Sequence, residues 1–117
     1  MRKKKSDLQW EFLQCLALLI GYARMNGYKL TMGRGYASPK ANEADGGHPN
    51  STHLHRLAID LNLFVDVDDD GKPDWIEDDH PAWTDLGEYW VWLHTEARWG
   101  GSWGDFNHFS FEWQGVK

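Results

Sequence analysis

The chain is 117 residues long, 41% hydrophobic and 26% charged, which is the size and composition of one small globular domain. Twelve Lys and Arg against 18 Asp and Glu give a formal charge of -6, which excludes a protein that coats duplex DNA. A single cysteine, Cys15, excludes an internal disulfide framework and any cysteine-rich zinc module.

The start, Met1-Arg2-Lys3-Lys4-Lys5, has the charge of an export signal, but Asp7 and Glu11 interrupt the segment next to it. The best apolar run, residues 15–20, is shorter than the roughly 7–15 residues such a signal needs. No stretch approaches the roughly 20 apolar residues of a membrane span. A cytoplasmic product without stable membrane insertion is expected.

Leu8, Phe12, Cys15, Leu16, Leu19 and Ala23 recur at spacings of three and four, which predicts an amphipathic helix capped by Ser6 or Asp7 and ending near Gly27. Cys15 lies on that stripe and reads as a packed thiol. Residues 29–32 form a short strand candidate. Residues 33–52 hold Gly33, Gly35, Pro39, Gly46, Gly47 and Pro49 and read as a long loop with a helical turn. Loops of that length in small domains tend to carry function.

Leu57, Ile59, Leu61, Leu63 and Val65 alternate as one aliphatic face of a strand. The other face carries Ala58, Asp60, Asn62 and Phe64, so the Asp60 carboxylate points away from the aliphatic core. Residues 66–79 then hold eight acids (Asp66, Asp68, Asp69, Asp70, Asp74, Glu77, Asp78, Asp79) and one base, Lys72. The rest of the chain is close to neutral, and so concentrated a charge calls for a cation.

A second helix is expected from a cap at Thr84 or Asp85 to about Arg98. The turn Trp99-Gly100-Gly101-Ser102-Trp103-Gly104 follows, then a strand with Phe109, Phe111 and Trp113 on one face and His108, Ser110 and Glu112 on the other. Core packing is expected to account for most of the eight tryptophans, with Trp99 and Trp103 as candidate cleft walls. The pattern predicts a single α+β domain over 1–117, with a central antiparallel sheet flanked by helices.

Two separated segments offer metal ligands: Ser51-Thr52-His53-Leu54-His55-Arg56-Leu57-Ala58-Ile59-Asp60 and Asp105-Phe106-Asn107-His108. Two imidazoles and one carboxylate leave a fourth tetrahedral position for water, the donor pattern of a catalytic zinc site. His53 and Asp60 are seven apart and cannot share a face of one regular strand. His53 therefore belongs to the turn before the strand, or a bulge intervenes. His55 is the alternative ligand to His53. Asp105 precedes His108 by three, a spacing that one tight turn brings to the same side. His48, His80 and His94 read as structural.

Ser-x-His-x-x-(Gly/Arg)-x-Ala-x-Asp followed by Asp/Glu-x-x-His resembles the VanY-type D-alanyl-D-alanine carboxypeptidases and the phage L-alanyl-D-glutamate endopeptidases that act as endolysins. The stretch 55–64 and the Trp99-Gly100-Gly101…Trp103 turn look most like the phage branch. The resemblance spans roughly residues 8–113 and implies the D-Ala-D-Ala peptidase, hedgehog-like fold. It implies His53, Asp60 and His108 as zinc ligands and Asp105 as catalytic base. It implies a zinc metallopeptidase that cuts peptidoglycan at the L-alanyl-D-glutamate bond during host lysis. Such an enzyme would act as a monomer, made in the host cytoplasm and reaching the periplasmic wall with a holin's help. Family members usually carry Tyr-Arg-Ser/Thr after the first short strand, where this chain has Tyr36-Ala37-Ser38. Arg34 or Arg56 is expected to supply the missing cation, and Tyr36, Ser38, Ser51 and Trp103 complete the expected substrate contacts.

Residues 66–77 match the twelve-residue calcium loop D-x-D-x-D-G-x5-E at every required position. Asp66, Asp68 and Asp70 would give side-chain oxygens, Lys72 its carbonyl, Asp74 a water-mediated contact and Glu77 a bidentate carboxylate. The preceding segment reads as strand, and Pro73 removes a backbone donor, so a solitary EF-hand-like insertion is expected, either regulatory or structural. Two rival readings are a D-alanyl-D-alanine carboxypeptidase or dipeptidase, and a calcium- and zinc-binding module without turnover.

Overall fold

The computed structural model of the chain describes residues 3–117. Met1 and Arg2, part of the basic start, lie outside the described residues. The elements are α1 (Lys5–Met25), β1 (Lys29–Met32), α2 (Pro39–Ala44), β2 (Ala58–Val65), β3 (Asp74–Ile76), α3 (Pro81–Leu93), β4 (Ala97–Trp99) and β5 (His108–Phe111). Short 3-10 turns occupy Thr52–His55 and Gly100–Trp103. Among the described residues no helix is long and apolar enough to cross a membrane.

All five strands pair antiparallel, in the order β1-β2-β5-β4, with β3 also on β2. The long central strand β2 pairs β1 along one edge, from Leu61 to Phe64. Its other edge is divided. β5 takes Ala58 to Asp60 and β3 takes Leu63 to Val65, so the ladder is interrupted between them. The sequence pattern leads to this strand directly: Leu57, Ile59, Leu61 and Leu63 are all buried on the face that meets the helices.

The expected stripe of α1 buries Leu8, Phe12, Cys15, Leu19 and Ala23 against that face. Phe12 lies edge-on to both Trp90 and Phe111, with centroids 5.4 and 5.3 Å apart. The Trp90 indole is fully buried, and its N–H is shared between the carbonyls of Arg98 and Ser110. Burial pushes the Cys15 thiol pKa up, with Glu11 adding to it, as suits a packed side chain.

Several details depart from the sequence reading. Lys4 occupies the N-cap of α1 without a side-chain bond, and Ser6 and Asp7 lie inside the first turn. The second helix starts earlier, because His80 accepts the Ala82 N–H as N-cap and Pro81 fits the first turn with its fixed φ. It also stops earlier, at Leu93, because His94 turns extended and residues 97–99 join the sheet against β5. Trp10, Trp75, Trp92 and Trp103 are exposed, so core packing accounts for only half of the tryptophans.

One buried-edge cluster ties α1, β1 and α3 together. The phenols of Tyr22 and Tyr28 donate to the two oxygens of Asp85, at 2.5 and 2.6 Å. Burial and the Asp85 carboxylate push Tyr28 up to about 12, and the bond to Asp85 raises Tyr22 as well. Because the folded pKa of Tyr28 exceeds its unfolded value of about 10, its stabilisation holds below that pH and is lost as pH rises toward 12. Phenolate absorbance during alkaline titration should show these two tyrosines ionising last. Asp85→Ala should bring their titration back toward the ordinary tyrosine range and lower the midpoint of a denaturant melt.

Candidate metal centre and its surroundings

Each ligand candidate is placed by a different local device. His53 sits in the 3-10 turn before β2, where Ser51 accepts the His53 backbone N–H. The turn closes on Arg56 in the left-handed region, φ 56°, and the chain then enters β2. A turn before the strand, rather than a bulge within it, thus reconciles the odd spacing of His53 and Asp60. Asp60 projects from the non-aliphatic face of β2, directly paired with His108 at the start of β5. The expected tight turn is present: the His108 N–H donates to the Asp105 carbonyl at 3.2 Å.

His53, Asp60 and His108 bring one donor atom each to within 4.8 Å of one another and could hold a metal ion. His53 Nε2 lies 3.3 Å, and His108 Nδ1 3.4 Å, from the same Asp60 oxygen. Those separations are longer than the roughly 2.7–2.9 Å of a charge-assisted hydrogen bond. They equal the edge of about 3.3–3.4 Å that a tetrahedron of metal bonds near 2.0–2.1 Å requires. The residues therefore fit a metal ion bound at such lengths. His53 Nδ1 lies 2.7 Å from the Gly35 carbonyl, which fixes the tautomer with its Nε2 lone pair turned inward.

Electrostatics agree with a cation site. Burial works against the Asp60 charge, but the two imidazoles outweigh it and hold the carboxyl down at about 2. For His53 burial favours the neutral ring, yet Asp60 and the Gly35 carbonyl raise its pKa overall. Asp105 lies exposed at the rim, and partial desolvation pushes its pKa up. The backbone bond across the turn, and the shared approach of both Cβ atoms to Gly100, set Asp105 beside His108.

Of the expected substrate contacts, Arg34 pairs with Asp45, and its charge is felt at His53. Arg56 instead stacks over Tyr36, 4.1 Å from the ring centroid. Ala37, at the place of the family arginine, is buried, and its N–H donates to the His53 carbonyl. Ser38 and Ser51 act as caps, of α2 and of the first 3-10 turn. Trp103 is exposed 5.9 Å from the His108 ring. Trp99 lies inward, donating to the Phe106 carbonyl and filling the space left by Gly87 and Gly101. His55 faces Lys5 and Trp113 and is not part of the donor group. His48 and His80 accept local backbone N–H bonds, and His94 stacks on Phe111.

Sequence reasoning missed Gly100. A Cβ there would collide with the Asp105 carbonyl and lie 2.8 Å from His108 Cβ, so only glycine lets the turn seat both residues. Gly100→Ala should cost about 1–3 kcal/mol of stability and weaken zinc binding, measurable by thermal melting and metal titration.

In the acidic loop, Asp66, Asp68, Asp70 and Asp74 gather as a second group that could hold a metal ion. Asp66 accepts the N–H groups of Asp70 and Gly71, and Gly71 takes φ 84° at the sharp turn. These bonds outweigh desolvation and lower the Asp66 pKa, whereas desolvation and the Asp74 charge raise that of Asp68. Glu77 is not in this group. It lies beyond β3, a strand that sequence reasoning absorbed into the loop. Comparison with protein-family models and with curated proteins finds no match to this chain.

Proposed function

We propose that the protein is a zinc metallopeptidase that cuts the stem peptide of peptidoglycan at the L-alanyl-D-glutamate bond, as a phage endolysin does. The observation that carries this reading is the convergence of His53, Asp60 and His108 at tetrahedral-edge distances, with Asp105 in the turn that leads into His108. His53, Asp60 and His108 would hold the zinc, which when bound lowers the pKa of a water and polarises the scissile carbonyl. Asp105 takes the proton of the attacking water and returns it to the leaving amine nitrogen. Its raised pKa suits it to both transfers. Arg34, whose backbone carbonyl accepts the Asp60 N–H, supplies positive charge for the substrate or the developing oxyanion.

We further propose that the acidic loop is a calcium site, with Asp66, Asp68, Asp70 and Asp74 as ligands; their gathering into one group supports this. The loop continues the strand that bears Asp60, so its occupancy would order one wall of the site.

The test is a digest of purified Gram-negative peptidoglycan by zinc-loaded protein, with calcium and with a calcium-selective chelator, read by mass spectrometry. Stems beginning at D-Glu support the endopeptidase. Released D-Ala moves the assignment to the carboxypeptidase branch. No product from protein that holds stoichiometric zinc leaves a binding module. Equal rates with and without calcium make the loop structural.

A further inference from the structure

A cavity of about 240 Å³ opens where the ladder on the divided edge of β2 is interrupted, between the start of β5 and the end of β3. Its lining includes Asp105 and Asn107 on one side, Glu77 and Trp75 on the other, with Trp83 and Phe106. The cavity is thus contiguous with the carboxylate assigned above as base. Glu77 is exposed and, in the continued register of β3, stands opposite Asn62, two residues along β2 from Asp60.

The chemistry of this lining is one-sided. It holds two carboxylates and no Lys, Arg or His. Indole and phenyl groups supply apolar wall, and an aromatic face attracts a cation as well as a methylene chain. An anionic group entering here would meet like charge, whereas a primary ammonium on an aliphatic stem would meet complementary charge and surface.

We infer that this cavity is a specificity subsite for an ammonium-bearing aliphatic side chain of the substrate, with Glu77 as the residue that recognises the charge. The inference deepens the peptidase reading and rests on it, because Asp105 sets the distance from the scissile bond to the recognised group. In a stem peptide with L-lysine after D-Glu, the lysine side chain is such a group.

The test compares the tripeptide L-alanyl-γ-D-glutamyl-L-lysine with its Nε-acetyl form, on zinc-loaded wild type and Glu77→Gln at fixed calcium. Wild type should favour the free ammonium by about tenfold in kcat/KM, mainly through KM, and the variant should bring the ratio near one. A role of Glu77 confined to the acidic loop would alter both substrates alike and preserve the ratio, which overturns the subsite. Binding of the uncleavable fragment γ-D-glutamyl-L-lysine and of its Nε-acetyl form, followed by tryptophan fluorescence, separates the two readings. A preference for the free ammonium that Glu77→Gln abolishes, without hydrolysis of either tripeptide, sustains the subsite and sinks the peptidase. Hydrolysis of both tripeptides at equal kcat/KM by wild type does the reverse.

Discussion

Asp105→Asn should lower kcat by about 10² to 10⁴ while the protein still binds one zinc ion, because the change removes a proton acceptor and leaves His53, Asp60 and His108 in place. The substitution is conservative for folding. Asp105 is exposed, and the turn is held by backbone bonds, from the Asp105 N–H to the Gly100 carbonyl and from the His108 N–H to the Asp105 carbonyl. Steady-state kinetics on a stem tripeptide and metal analysis of the same preparation give the two readouts. Loss of zinc with loss of activity would make Asp105 a ligand. Retention of both would remove it from the mechanism.

The second large effect belongs to the ligands. In wild type, zinc at a hundredfold excess over its dissociation constant should stabilise the fold by about 2.7 kcal/mol. For a domain of this size that is a rise in Tm of roughly 10 °C. In His108→Ala zinc should produce almost no shift, and hydrolysis should fall to background. His108 is buried on β5, so the variant also leaves a small void, and its metal-free Tm will lie below that of wild type. The difference between melts with and without zinc isolates the metal effect from that void. A zinc shift that survives in His108→Ala would mean that the ion sits elsewhere, and the acidic loop would be the first place to look.

Much of the site was legible in the sequence because its parts are local. The alternation of 57–65 sets which face Asp60 takes, and the three-residue spacing of Asp105 and His108 sets their turn. The odd spacing of His53 and Asp60 narrowed His53 to two placements, of which the structure adopts the turn. What escaped depends on partners distant in sequence. β3 is three residues long and exists because β2 offers it an edge, so its composition, inside an acidic run, gave no strand signal. The end of α3 was misjudged for the same reason: residues 97–99 are sheet because β5 pairs them, against a helix-compatible pattern. Gly100 and Gly101 were read as turn residues, while their tighter constraint is the close approach of Asp105, His108 and the Trp99 ring. Ser38 and Ser51 were expected to touch substrate; their hydroxyls also cap helix starts, a role their neighbours in sequence did not reveal.

The pairing of Val65 with Asp74 makes the whole acidic segment between them the connector of a hairpin. None of residues 66–73 is buried, and the helices that cover the sheet draw nothing from them. A connector of that kind is exchangeable: a two-residue Asn-Gly turn would join the same two strands without altering the register that positions Asp60. The two groups that could hold a metal ion are then separable in this architecture, joined by one hairpin. Grafting the connector together with Asp74 onto an unrelated hairpin of the same register would carry the acidic group away and leave His53, Asp60 and His108 behind.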